Sequence, residues 1–263
     1  MFPDFTKLEC PFVRKTYEVN RDDWQKHGKE LQLREPNVYL VTPELNPNYS
    51  WVMDHPDTFA CEKLDGTNCG VLMEKGRVKA IQNRLNEVDL LQVIGGRSYI
   101  MDGIFSAADH GLLHKDGLQY GELVGPKLQG NPYDIPRHVW YPFTKARIDL
   151  VYKSFTKYPR DFWGWSYWLN FGLESLYTKK KSTHAGAKAH LYAEGVVFTN
   201  RQLGSDEFHP RMAKLRRSMY PWYYWDKVRI IGLEDEWYFR WNQVVESGII
   251  PDQTKRMFGP KIS

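Results

Sequence analysis

The feature that most constrains this chain is a series of short strand-like runs punctuated by glycine between residues 58 and 84. TFACEKLD leads through Gly66 into TNCGVLME, and Lys75-Gly76 then turns the chain into RVKAIQNR. Strand, glycine turn and strand make a β-hairpin. Further β-like runs follow in LQYGELVG after Gly117, in HLYAEGVVF and in RMAKLRRSMY. Helices are expected where capping residues precede apolar periodicity: from Asn20 through NRDDWQKHGKELQL, with Asp22 and Asp23 in its first turn, and from Ser98 through YIMDGIFSAADHGLL. Asn46-Pro47-Asn48 reads as a turn, and EDEWYFRWNQVVESG as a helix ended by Gly248 with Pro251 beyond. The chain is therefore α+β, dominated by antiparallel sheets with flanking helices. It has neither a G-x-x-x-x-G-K-[ST] loop nor a G-x-G-x-x-G turn after a strand, which argues against P-loop and Rossmann enzymes.

Composition narrows the class. The 263 residues are 42% hydrophobic and 26% charged, enough for a packed core. A net charge of +4 suits a polyanion partner without requiring one, and the 15% aromatic content serves either base stacking or core packing. The three cysteines, Cys10, Cys61 and Cys69, form no CxxC pair and are odd in number, which implies a reducing, intracellular (cytoplasmic) setting without structural zinc. No apolar run approaches membrane-spanning length, and no secretory leader is visible.

Five segments carry the chemistry: Glu62-Lys63-Leu64-Asp65-Gly66-Thr67-Asn68, Asn83-Arg84, Tyr120-Gly121-Glu122-Leu123, Ala193-Glu194-Gly195-Val196-Val197, and Lys214-Leu215-Arg216-Arg217. Each alone is a weak signal; in this order, on strands or their ends, they form a strong one. EKLDGTN resembles the nucleotidyl-lysine motif of the covalent nucleotidyltransferases, which include ATP-dependent DNA ligases, RNA ligases and mRNA capping enzymes. The other segments resemble that superfamily's later motifs. Asn68, where DNA ligases and capping enzymes typically have Arg, and the extended YGELVGPKLQGNPY make the chain most similar to RNA ligases related to the second ligase of bacteriophage T4 and to the kinetoplastid RNA-editing ligases. Asp65, where many of those have His, and Arg216, where the last motif usually has Lys, depart from the pattern.

The resemblance implies an ATP-grasp-like adenylyltransferase fold over residues 1–220, with a short helical extension over 221–263. It implies attack by Lys63 on the α-phosphorus of ATP, transfer of AMP to a 5′-phosphate, and displacement of AMP by a 3′-hydroxyl. RNA is the implied partner, as a nicked duplex or an RNA/DNA hybrid, in a repair role. A DNA nick ligase and a non-catalytic nucleic-acid-binding relative are the alternatives. By the same resemblance Lys63, Lys214, Arg216 and Arg84 are catalytic. Glu62, Asn68, Glu122 and Glu194 join them around the nucleotide, with Phe143 (or Tyr141 or Trp140) stacking on adenine. Glu194 and Glu122 would hold Mg2+ or Mn2+.

The residue types suit this chemistry. A free lysine amine, with a pKa of about 10.4, is almost wholly protonated near neutrality, so a metal ion, Lys214 or Arg216 nearby is expected to lower its pKa. Glu122 and Glu194 each interrupt an otherwise buried-looking strand and need a cation or a hydroxyl. If RMAKLRRSMY is a strand throughout, Met212, Lys214 and Arg216 share one face, and Arg211, Ala213, Leu215 and Arg217 the other. The aromatic run FWGWSYW and the basic loop Lys179-Lys180-Lys181 are expected either to help hold a polynucleotide or to be a core patch and a surface loop.

Overall fold

The structure, a computed structural model, describes residues 8–89, 98–113, 115–180, 188–204, 211–233 and 235–248. In chain order its elements are β1 (Phe12–Val19), α1 (Arg21–His27), β2 (Asn37–Leu45), α2 (Trp51–Asp54), β3 (Phe59–Lys63), β4 (Thr67–Glu74), β5 (Arg77–Asn83), β6 (Asn86–Val88) and α3 (Ser98–Asp109). There follow β7 (Gly117–Val124), β8 (Val139–Pro142), α4 (Phe143–Asp149), α5 (Phe162–Tyr167), α6 (Leu176–Lys180), β9 (Gly195–Asn200), β10 (Arg211–Arg216), β11 (Ile230–Ile231) and α7 (Asp235–Ser247). The strands form three sheets, ordered β11-β1-β2, β10-β9-β3 and β6-β5-β4-β7-β8, and every pairing is antiparallel. This is the α+β architecture of antiparallel sheets with flanking helices that the sequence calls for. No helix among the described residues is long and apolar enough to cross a membrane.

Local chemistry explains the elements. Asn20 caps α1, its Oδ1 accepting from the amides of Asp22 (3.1 Å) and Asp23 (3.2 Å). The expected helix stops early, at His27, with Gly28 as its cap. The hairpin β4–β5 turns through Lys75 and Gly76, both at positive φ (52° and 70°), the signature of a tight two-residue turn. Their amides donate to the Asp116 carboxylate at 2.8 and 2.9 Å, tying the turn to the start of β7. α7 ends at Gly248, whose φ of +58° suits a left-handed cap; Pro251 lies outside the described residues. Two runs differ from the sequence reading. β9 begins only at Gly195, leaving His190–Glu194 outside the strand, and β10 ends at Arg216, after which Arg217–Met219 form a 3-10 turn.

Four apolar clusters hold the layers. The largest packs Ala60, Val196, Phe198, Ala213 and Leu215 of β3, β9 and β10 against Phe155, Phe162, Trp165 and Trp168, and takes in Trp237, Trp241 and Val244 of α7. The FWGWSYW run is thus core: Trp165 stacks on Phe198 with ring centres 4.6 Å apart, and its other tryptophans are buried. A second cluster seats α3 through Ile100, Ile104 and Ala107 on the five-stranded sheet. A third joins Leu64, Val124, Tyr133, Tyr141 and Tyr177, and a fourth seals β1 and β2 with Tyr224, Val228 and Ile230. Lys179 and Lys180 belong to α6 and pair with Glu174 and Asp149; Lys181 lies outside the described residues.

Three motif glycines are there for close approach. A Cβ on Gly66 would lie 2.2 Å from the Leu123 carbonyl oxygen, on Gly195 2.2 Å from that of Leu215, and on Gly121 2.5 Å from that of Tyr141. Backbone oxygens in a paired ladder cannot step aside. Gly121→Ala is therefore expected to lower unfolding free energy by about 1–3 kcal/mol, read as a shifted urea midpoint with an unchanged slope. An unchanged midpoint would show that the sheet gives way at no cost.

Candidate active site

The site follows from strand register. In the three-stranded sheet Lys63 pairs with Gly195, and Gly195 pairs with Arg216. Three segments, one of them more than a hundred residues from the other two in sequence, thus end at one edge of one sheet. Side chains alternate across a strand. Ala60, Val196, Phe198, Ala213 and Leu215 point into the largest core, which leaves Lys63, Lys214 and Arg216 to the other face. The expected face for Lys214 and Arg216 is the observed one. Arg217 is not their opposite on the strand, because the strand has already ended.

The second sheet brings the remaining segments. Asn68 pairs with Glu122, and the Arg84 amide donates to the Asn68 carbonyl at 2.9 Å. Arg84 sits one residue past β5 at a φ of +55°, its Nε donating to Thr67 Oγ1 at 3.3 Å. The Asn68 side-chain nitrogen is buried without a hydrogen-bond partner, as is Arg216 Nε. Buried donors without acceptors are costly, and Trp51, Trp165, Trp168 and Trp225 leave their Nε1 unpaired in the same way.

Lys63 Nζ donates to Glu194 Oε2 at 2.5 Å and to the Leu64 carbonyl at 3.3 Å. The other carboxylate oxygen of Glu194 lies 3.6 Å from Arg216 Nη1. Burial by itself would lower the Lys63 pKa, but Glu194, Glu122 and Asp65 outweigh it and hold the amine above its ordinary value. This corrects the sequence expectation: carboxylates, not cations, dominate around the lysine. Those carboxylates are strained in turn. Desolvation and the neighbouring Glu194 lift Asp65 to about 6. Glu122 rises to about 7, chiefly through desolvation, against the pull of Lys63.

Glu62 serves differently from the expected nucleotide contact. Its buried carboxylate accepts from Ser175 Oγ (2.7 Å) and from the Tyr177 amide (2.8 Å), anchoring the start of α6 from behind the sheet. Trp140 is core, its Nε1 donating to the Cys69 carbonyl at 3.1 Å, and Tyr141 is buried with its hydroxyl on Asp149 (2.8 Å). Neither ring is open to a base. Phe143 opens α4 and does not line the cavity beside Glu194.

That cavity, about 550 Å³, is lined by Asp65, Glu194 and Arg216 together with residues 30–35, Asn37 and Tyr39, whereas Lys63, Asn68, Arg84 and Glu122 are not among its lining residues. Lys214 does not line it; its amide donates to the Glu9 carbonyl at 2.8 Å. Several lining groups escaped the sequence reading. Asp65 was noted only as a departure from pattern, yet its amide donates to Tyr133 Oη at 2.8 Å and its carboxylate joins those around Lys63. Tyr192, Arg217 and Tyr223 also line the cavity, and the only available signal was aromatic residues within HLYAEG and SMYPWYYW.

Among the described residues no group of three or more His, Cys, Asp or Glu is arranged to hold a metal ion directly. Glu194, Glu122 and Asp65 nevertheless offer, around Lys63, the oxygen donors that a hard dication takes. Magnesium-like ions keep several waters and need only one or two carboxylates.

No protein-family model matches the chain, and no curated protein matches it. Among solved structures it is similar to an RNA ligase of Naegleria gruberi. An aspartate-to-alanine mutant without ligand is 12% identical over 86% of this chain and 64% of that one, at a TM-score of 0.40. A lysine-to-alanine mutant with ATP and Mn is 11% identical over 86% and 62%, at 0.39, and the enzyme with PPi is 14% identical over 65% and 51%, at 0.36. Other superpositions span 26% and 49% of that ligase, so the chain spans about half of its length or less in several of them. Superpositions at these scores do not carry a functional reading, which rests on the residues themselves.

The buried carboxylate of Glu62 sets a pH test. Desolvation lifts it from the usual 4.5 to about 7, against the hydrogen bonds from Ser175 and Tyr177. A folded-state pKa above the unfolded one means that its contribution is fully present below about pH 4.5 and lost as pH rises through 7. Replacing it with Gln should flatten the fall in unfolding free energy across that window, by roughly 1–3 kcal/mol at pH 8. Identical pH slopes for parent and Glu62→Gln would exclude the assignment.

Proposed function

We propose that this chain is an ATP-dependent polynucleotide ligase, of the kind that joins RNA ends, and that it carries AMP on Lys63. The observation that carries this reading is the Lys63–Glu194–Arg216 cluster: one amine, one carboxylate and one guanidinium brought to one sheet edge by the pairing of Lys63, Gly195 and Arg216. A binding module needs no nucleophile held in this way.

In the proposed reaction a bond forms between Lys63 Nζ and the α-phosphorus of ATP while the bond to pyrophosphate breaks. The ammonium proton leaves along the existing contact to Glu194. AMP then passes to a 5′-phosphate, and a 3′-hydroxyl displaces it as the strand is sealed. Such displacements at phosphorus depend mainly on positioning and charge neutralisation. Arg216 is the phosphate clamp: its guanidinium is planar and permanently charged, so it orients oxygens and carries no proton. Lys214 adds positive charge from the same strand face. In this reading Asn68 binds a sugar hydroxyl and Arg84 a phosphate. Glu194 and Glu122 would hold a magnesium or manganese ion, which would supply further neutralisation of phosphate charge. We assign the AMP-transfer unit to residues 1–220, with 221–263 as a C-terminal extension.

Incubation with ATP and magnesium should add one AMP to the intact mass, labile in acid as a phosphoramidate is, and Lys63→Ala should abolish it. Arg216→Ala should slow single-turnover AMP transfer by about 10²–10³. Arg216→Lys should recover most of that rate if charge suffices, and little if a two-pronged contact is needed. An adduct persisting on Lys63→Ala would remove the assigned nucleophile. A panel of nicked RNA, DNA and hybrid duplexes then reads strand preference, with RNA expected to be sealed fastest.

A further inference from the structure

Beside Glu194 the cavity is lined by residues that the AMP-transfer chemistry leaves unused. The Arg217 guanidinium lies 4.6 Å from the ring centre of Tyr192 and 6.0 Å from that of Tyr223, with Trp222 at 5.6 Å. Its Nε donates to the Leu169 carbonyl at 2.9 Å, which fixes the side chain in place. Its amide donates to the Glu194 carbonyl at 3.0 Å, which fixes the group relative to the carboxylate that holds Lys63. Tyr192 and Tyr223 remain 39% and 42% exposed, and Tyr39 across the cavity is 58% exposed. Core packing does not account for rings left this open, whereas the tryptophans of α5 are consumed by the core. Arg34 and Arg216 line the same space, as do the carboxylates of Glu30, Glu35, Asp65 and Glu194.

We propose that Tyr192, Arg217 and Tyr223 form a platform on which the terminal bases of a single-stranded polynucleotide end stack beside Lys63. This rests on the AMP-transfer reading for its purpose, but not for its chemistry. Every base has a π-face, so rigid tyrosines and a guanidinium plane grip a strand with little regard to sequence. Arg34, Arg216 and Arg217 are the cations available to the strand's phosphates. A protein partner fits less well, because the exposed rings alternate with cations rather than merging into one apolar patch. The platform adjoins Glu194, the residue whose carboxylate holds Lys63.

The test is fluorescence anisotropy of a short, labelled, 5′-phosphorylated single-stranded RNA titrated with the full chain, without ATP. Tyr192→Leu and Tyr223→Leu should each weaken binding about 5- to 100-fold. Tyr192→Phe and Tyr223→Phe should stay within about twofold, because the ring is what binds. The salt dependence of affinity should keep its slope in the Leu variants, since no phosphate contact is lost. Thermal melts confirm folding, which the exposure of both rings favours. Leu variants that bind RNA as the parent does would overturn the platform. So would a raised ATP requirement for adduct formation with RNA affinity intact, since the rings would then hold the adenine of ATP. Adduct formation by the parent protein is scored separately, so failure of the AMP-transfer reading is not confused with failure of the platform.

Discussion

Everything at the site depends on one register: Lys63 opposite Gly195 opposite Arg216 across three antiparallel strands. Backbone hydrogen bonds set that register, and apolar side chains on the far face lock it, because a one-residue slip would turn the whole buried set toward the cavity. Gly195 lies at the middle of the row for a steric reason, as any Cβ there would strike the Leu215 carbonyl. The absence of a side chain at that point lets Lys63 and Arg216 approach Glu194 from either side. The second sheet repeats the arrangement with Asn68 opposite Glu122, and Gly66 allows the two sheets to meet between Lys63 and Thr67.

The charge balance of the site has a direction. Three carboxylates surround one amine and keep it a cation, while desolvation pushes Asp65 and Glu122 toward neutrality. Such a cluster is poised for additional positive charge rather than at rest without it. Phosphate chemistry at Lys63 requires the amine to give up its proton, and the same carboxylates that now oppose this are the groups a hard cation would occupy. Electrostatically, binding and activation would then be one event.

Much of this was legible in the sequence, for identifiable reasons. Two-residue alternation and the Lys75-Gly76 turn specify the hairpin, and the Asn20 cap specifies α1, because both are encoded by neighbouring residues. The face shared by Lys214 and Arg216 follows from alternation alone. What could not be read depends on contacts distant in sequence. Glu62 looks like a nucleotide contact until Ser175 and Tyr177 claim its carboxylate. FWGWSYW looks as suited to stacking on bases as to packing until Phe198 and Phe155 cover it. Arg217 continues the strand pattern on paper, but the chain turns one residue earlier. The aromatics that do line the cavity lie in segments with no periodicity to mark them.

The alternation within β3 has a consequence for how such a chain changes over time. Glu62 faces backward and holds the start of α6, while Lys63 beside it faces the other way, toward Glu194. Deleting or inserting one residue in this strand would exchange the two, sending an ammonium into a buried carboxylate's socket and a carboxylate into the site. No intermediate would both fold and function. Length variation in this chain is thus expected in its connections, such as those on either side of α3, while β3 changes by substitution alone. The strand acts as a fixed reference mark from which the rest of the sequence can drift.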